Sequence, residues 1–374
     1  MERMSRLPSC FRSFAMGGFE GSTHRRRDRR RIDTIASSAH DLYAGVDYGL
    51  IAGMGLRTVR EALRWHLIEP SEGRFDWSSV LPIIRAAREH DVEIIWDICH
   101  WGVPDDVEVM SAEFPRRLAA FTRAALRFLR NEGSQVAGWV PVNEMSFWTW
   151  AGGDKGHFEP WLDERGWDLK RQLFRAHLSI VEELRRSGAR EPVVVAEPLI
   201  NVVPGDADPE IVQLAHGHNE GSFEVSDWLL AEDRGAIDVI GLNHYPHNQW
   251  IWEGPQIGPD DHRFRPLSGL LRDTARRFGK PVMLAETGAE EPKGDAWLAY
   301  VAREVGLALD AGVPVEGVCV YPVMDYQGWD NDRHVPCGPI RRDAVQGRHV
   351  RPGQQAAMQR LDALREGRRN ERAA

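Results

Sequence analysis

The sequence has only four cysteines in 374 residues, Cys10, Cys99, Cys319 and Cys337, widely separated and with no CxxC pair. This leaves no basis for a disulfide framework or a structural zinc site. Two of the four lie in apolar, strand-like runs, so reduced and mostly buried thiols are expected. No apolar run approaches the length of about 18 residues needed to span a bilayer, so no membrane partner is expected. The opening stretch MERMSRLPSCFRSFAMGG starts with mixed charge and never builds an uninterrupted apolar core, which makes a poor secretory signal and sets a cytoplasmic expectation. Excess positive charge is also missing: the net charge of -9 disfavours a nucleic-acid partner, whose counterions are released by a basic surface. One local exception is HRRRDRRR at 24–31, with six arginines around Asp28. It reads either as a solvated face or, on the catalytic side of the fold, as a patch for an acidic or phosphate-bearing substrate. No internal repeat or low-complexity linker divides the chain, so one domain is expected over 13–365, with a tail at 1–12 and a charged, frayed tail at 366–374.

What is present is an ordinary globular balance, 42% hydrophobic and 28% charged, with an unusually high count of 14 tryptophans. Apolar strand candidates at 13–19, 57–61, 93–98, 138–142, 192–197, 237–242, 281–286 and 315–321 alternate with helical patterns. FPRRLAAFTRAALRFLR, for example, places Leu118, Phe121, Ala125, Phe128 and Leu129 at helical spacing. Continuous apolar strands each followed by a helix indicate a parallel sheet closed as an α/β (β/α)8 TIM barrel. An open doubly wound sheet is the alternative, but GGFEG lacks the GxGxxG spacing its first turn normally carries.

Such a barrel builds its site at the C-terminal ends of its strands. Those ends carry His24, Arg60, His100 and Trp101, Asn143 and Glu144, Asn243 and Tyr245, Glu286, and Asp325 with Trp329 beyond it. Two carboxylates on nearly opposite strands suit retaining glycoside hydrolysis, in which one protonates the leaving oxygen while the other, about 5–5.5 Å away, attacks the anomeric carbon. Arg60 and Tyr245 would keep Glu286 ionised as nucleophile, and its charge would push Glu144 toward the protonated form of a general acid. Asn143 could then meet the sugar 2-hydroxyl. Glu197, at the end of strand five, could join the site or brace another barrel residue. PVNEMSFWTW raises its own question, because Trp148 and Trp150 follow the Asn-Glu pair at once. Together with Trp250 and Trp252 they could form a stacking platform for a leaving group, or they could be core. HGH at 216–218 lies in a helical context, and neither a metal ion nor an organic cofactor is expected.

These stretches resemble the family 1 glycoside hydrolases, β-glucosidases and their relatives. The resemblance runs from about Phe14 to Gly338 through REALRWHLIEP, HWGVP, GWVPVNE, DVIGLNHY, AETG and VYPVMDYQGW, in the family's order. It implies Glu144 as acid/base and Glu286 as nucleophile, with Arg60 and Tyr245 beside it. It further implies sugar contacts from His24, His100, Trp101, Asn143, Asn243, Tyr321 and Trp329. The chain departs from the family at Met145 and Thr287, which leaves both glutamates in place. By spacing, His24 falls where the family usually has a glutamine gripping the glycone, and Gly328 where it has a glutamate for O4 and O6. Tyr321 replaces a tryptophan beneath the ring. A site selects a hydroxyl through groups built to hydrogen-bond it, so a glycone other than plain glucose is expected. The function expected is a retaining β-glycosidase acting on a β-linked carbohydrate. The alternatives are a transglycosidase on the same site or a catalytically silent sugar-binding barrel.

Overall fold

The computed structural model describes residues 10–373 apart from Ala344 and Gln346, with side chains described through residue 365. Residues 1–9 of the expected N-terminal tail lie outside the described residues. Eight parallel strands form one sheet: β1 (Ala15–Gly18), β2 (Thr58–Ala62), β3 (Glu93–Cys99), β4 (Val136–Val142), β5 (Val194–Pro198), β6 (Val239–Asn243), β7 (Val282–Thr287) and β8 (Val315–Val320). Their hydrogen-bonded order is β4-β3-β2-β1-β8-β7-β6-β5. Single parallel bridges, Trp139 to Val193 and Asn143 to Ala196, join β4 to β5 and close the ring. The expected TIM barrel is therefore the observed fold, and each strand lies within a few residues of its sequence-read position.

Burial on both faces explains the unbroken apolar runs. Inside the ring, Met16, Ile95, Val140, Val194, Val239, Met283 and Cys319 form one cluster, with Phe11 among them. Phe11 is thus core, at a position assigned to the tail from sequence. Outside, the helix Glu113–Asn131 buries Phe114, Leu118, Phe121, Ala125, Leu126 and Leu129 along one face. Truncating such a buried aromatic to alanine costs about 3–5 kcal/mol. The final helix, Pro352–Ala373, continues through the segment read as a frayed tail.

After β8, two short hairpins precede that helix. Tyr326–Gln327 pairs with His334–Val335, and Ile340–Arg342 pairs with Arg348–Val350. Asp325 accepts the amides of Cys337 and Arg342 and two bonds from Arg351. It ties these hairpins together and is not a site group. The four cysteines are free thiols, and only Cys10 is exposed. No helix among the described residues is long and apolar enough to cross a membrane.

Candidate active site

Arg60, fully buried on β2, organises the barrel mouth. Its Nε and Nη2 donate to the two oxygens of Asp97 at 2.8 and 2.7 Å. Nη2 also donates to Asn143 Oδ1 at 2.6 Å, and Nη1 to Glu286 Oε1 at 2.7 Å. The planar five-donor fork of arginine suits this geometry, which lysine could not reproduce. Because Asn143 Oδ1 faces Arg60, its Nδ2 must face His100 Nε2, 3.0 Å away. His100 therefore accepts there and donates from Nδ1 to Asp97 Oδ2 at 2.9 Å. One network fixes the arginine, the amide and the imidazole tautomer.

Glu286, at the end of β7, is 5% exposed and lines the cleft. Its Oε2 accepts from the Tyr245 hydroxyl at 2.8 Å. Glu144, just beyond the end of β4, accepts from Asn243 Nδ2 at 2.9 Å. Burial raises the pKa of both carboxyls, favouring their protonated forms. In Glu286 that rise is opposed first by Arg60 and also by the Tyr245 hydroxyl. In Glu144 burial is reinforced by the charge of Glu286, which holds it well above the ordinary carboxylate value. Proton sharing thus favours Glu144 protonated and Glu286 ionised. Glu144 also sits at φ 43°, a left-handed conformation that non-glycine residues adopt only when their surroundings enforce it. The Ala196 carbonyl on β5 takes its amide at 2.8 Å.

The cleft has a volume of about 830 Å³ and is shared by Glu20, His100, Trp101, Glu144, Tyr245, Glu286, Tyr321 and Trp329 at its base. Tyr321 lies beneath, its ring 5.2 Å from the Arg60 guanidinium and its hydroxyl accepting from Gly21 N. Trp101 presents only its ring, since its indole N–H donates to the Asn143 carbonyl at 3.0 Å. Trp329 meets Trp101 edge to face at 5.9 Å. Farther out, Phe147, Trp150, His218, His247 and Trp250 form an aromatic arm of the same cleft.

Several expectations from sequence need correction. His24 is 1% exposed and does not line the cleft. It packs against Phe158 at 4.5 Å and Trp101 at 5.6 Å, and burial lowers it to about 3. The inward-facing residue of that segment is Glu20. Gly21 packs so tightly on β2 that a Cβ there would stand 2.3 Å from the Ala62 Cβ. The chain therefore crosses β2 immediately after residue 20, and His24 ends up behind the wall. Asn143 and Asn243 are also absent from the cleft wall; their amides hold Arg60, His100 and Glu144.

Trp148 is fully buried and donates its indole N–H to the Glu159 carbonyl, whereas Trp150 is 38% exposed on the cleft. The chain winds as a helix at Met145–Trp148 and as a π-helical turn at Thr149–Asp154. Residues two apart on a helix face opposite sides, so the two tryptophans part company. Trp252, unlike Trp250, does not line the cleft.

Four of the six arginines of the basic run are paired with acids. Arg25 and Arg31 pair with Asp105, Arg26 and Arg30 pair with Asp332, and no arginine of the run lines the cleft. His218 lines the aromatic arm, 5.8 Å from Trp250, and no cluster of three or more potential metal ligands occurs among the described residues. Sequence reasoning missed Glu20 and Asp97. Asp97 was signalled by EIIWDI, where a charged residue interrupts an apolar strand and so requires a buried partner.

The fold defines a class, the (β/α)8 barrels, and this chain carries Glu144 just past strand four and Glu286 at the end of strand seven. Within it, this chain is similar in structure to the family 1 β-glucosidase of Thermotoga maritima, with a TM-score of 0.76 at 16% identity over 97% of this chain and 99% of that one. The same enzyme solved with glucoimidazole superposes with a TM-score of 0.74 at 16% identity, over 94% and 98%. The AHE enzyme of Alicyclobacillus herbarius gives 0.76 at 14% identity, over 97% and 100%. No family model matches the chain, and no curated protein sequence matches it. The resemblance read from the motifs is thus matched by a shared fold over nearly the whole chain.

Proposed function

We propose that the chain is a retaining β-glycosidase. The observation that carries this reading is the asymmetric pair: Glu286 held by Arg60 and Tyr245, and Glu144 facing it under the opposite electrostatic bias. In the first step Glu286 attacks the anomeric carbon as the bond to the leaving oxygen breaks, and Glu144 delivers its proton to that oxygen. A glycosyl ester forms on Glu286. In the second step Glu144 takes a proton from water, the water oxygen attacks the anomeric carbon, and the ester bond breaks to restore Glu286. Arg60 stabilises the carboxylate before and after reaction, while Tyr321, Trp101 and Trp329 shape the glycone pocket.

The glycone proposed is not plain glucose. Gly328 lies in the hairpin after β8 and offers no carboxylate, while Glu20 presents one from the β1 side. The aromatic arm favours a second reading on the same site, transfer to a bound acceptor in place of water, because Phe147, Trp150 and Trp250 offer rings on which an acceptor sugar or aglycone can stack.

The test is a panel of aryl β-glycosides, including pentosides, deoxysugars and amino sugars, with wild type and Glu286→Ala. Cleavage of at least one by wild type, with a dead variant that azide revives to give the inverted glycosyl azide, is the expected result. Binding of sugars without turnover by wild type, with or without added acceptor, would replace the proposal with a silent binding barrel.

A further inference from the structure

β5 contributes a buried carboxylate that touches neither Glu286 nor the cleft. Glu197 is 1% exposed. Its Oε1 accepts the Met145 amide at 2.9 Å and its Oε2 the Ser146 amide at 3.0 Å, and the Ser146 hydroxyl donates to Oε2 as well. Since Ala196 O takes the Glu144 amide, the end of β5 grips three consecutive backbone N–H groups, at 144, 145 and 146.

The first amides of a helical turn lack partners in the turn and are usually met by the side chain of the residue before it. Here that residue is Glu144, whose side chain makes no such bond because it faces the cleft. Glu197 supplies the missing acceptor from the neighbouring strand. It thereby leaves Glu144 free while locking the left-handed backbone that aims it.

We propose that Glu197 is a positioning residue for the proton donor Glu144, an inference that rests on the glycosidase reading above. Both oxygens of Glu197 act as acceptors, which is the role of the ionised form. Burial raises Glu197 to about 7, with the Ser146 and Met145 donors and then Lys170 opposing the rise. Lys170, on the helix Gly166–Arg186, is itself paired with Glu224 at 2.6 Å. The charge of Glu197 also adds to that of Glu286 in keeping Glu144 protonated.

The experiment compares two aryl glycosides of one glycone, a dinitrophenyl glycoside that departs without a proton and a phenyl glycoside that needs one. In Glu197→Gln one oxygen is replaced by an amide nitrogen that cannot accept, so one backbone N–H loses its partner. General-acid catalysis is worth about 10²–10⁴-fold, so a misaimed acid should lower kcat/KM for the phenyl glycoside about 10–100-fold and for the dinitrophenyl glycoside less than about threefold. Ser146→Ala, which removes only the hydroxyl contact, keeps the question open if Glu197→Gln does not fold. It should show the same leaving-group bias at smaller size. Equal losses on both substrates, or no loss, would overturn the positioning role. Glu144→Ala separates the two ideas: if it too loses equally on both substrates, Glu144 is not the general acid and that part of the glycosidase reading fails, whereas wild type that cleaves neither substrate sinks the reading itself.

Discussion

Replacing Tyr245 by phenylalanine removes one oxygen from the site and tests the proposal that Glu286 is the ionised member of the pair. The hydroxyl donates to Glu286 Oε2 at 2.8 Å, and the ring is stacked on His247 with centroids 5.5 Å apart, so phenylalanine can keep the packing. A hydrogen bond to a charged group is worth about 1.5–3 kcal/mol. The bond favours the carboxylate form, so its loss raises the pH at which Glu286 ionises. At about 1.4 kcal/mol per pH unit, the acid limb of kcat/KM should move up by about one to two units. Below that limb the loss should reach about 10–100-fold, and well above it the loss should shrink. The assay is the pH dependence of kcat/KM on an activated aryl glycoside, with thermal unfolding measured alongside. A uniform loss at every pH, with the limb unmoved, would refute the claim that Tyr245 tunes Glu286 and reduce it to a packing residue. On the proposed assignment the alkaline limb belongs to Glu144, which lies well above the ordinary carboxylate value, and should stay where it is.

Two further perturbations separate stability from chemistry. Trp148→Ala should destabilise the fold by about 3–5 kcal/mol in denaturant unfolding. Trp150→Ala should leave unfolding nearly unchanged and raise KM for glycosides with bulky aglycones. A reversal of that pattern would contradict the opposed faces assigned to the two residues. His40 is buried with Nδ1 2.8 Å from Asp47 and Nε2 2.9 Å from Glu61. Burial alone would lower it, but Glu61 and Asp47 outweigh that and raise it to about 9. A raised folded value means a contribution that is complete below the unfolded value, near 6.5, and lost as pH rises through about 9. Unfolding free energy should therefore fall by about 3 kcal/mol across that window, a slope that His40→Gln should abolish. An unchanged slope in the variant would assign the alkaline loss to another group.

The barrel was legible because its strands, buried on both faces, appear in the sequence as continuous apolar runs whose length and order do not depend on side-chain detail. The glutamate pair and its arginine were legible for a related reason: each stands at or next to the end of such a run, where backbone position nearly fixes direction. Legibility stopped where the chain left the strands. Trp148 and Trp150 look equivalent in an extended reading, and only the helical winding after Glu144 sends one to the core and the other to the cleft. Spacing from Phe14 carried the glycone contact to His24, but the crossing enforced at Gly21 ends the inward-facing segment four residues earlier, at Glu20. Spacing likewise placed the arginine run at the barrel mouth without revealing Asp105 and Asp332, distant in sequence, which pair with four of its six arginines. The residues proposed to make the chemistry are therefore set by strand ends, whereas those proposed to choose the sugar are set by loop crossings. That division is why the fold and the placing of the glutamate pair could be read from the sequence further than the cleft-lining residues of the loops could.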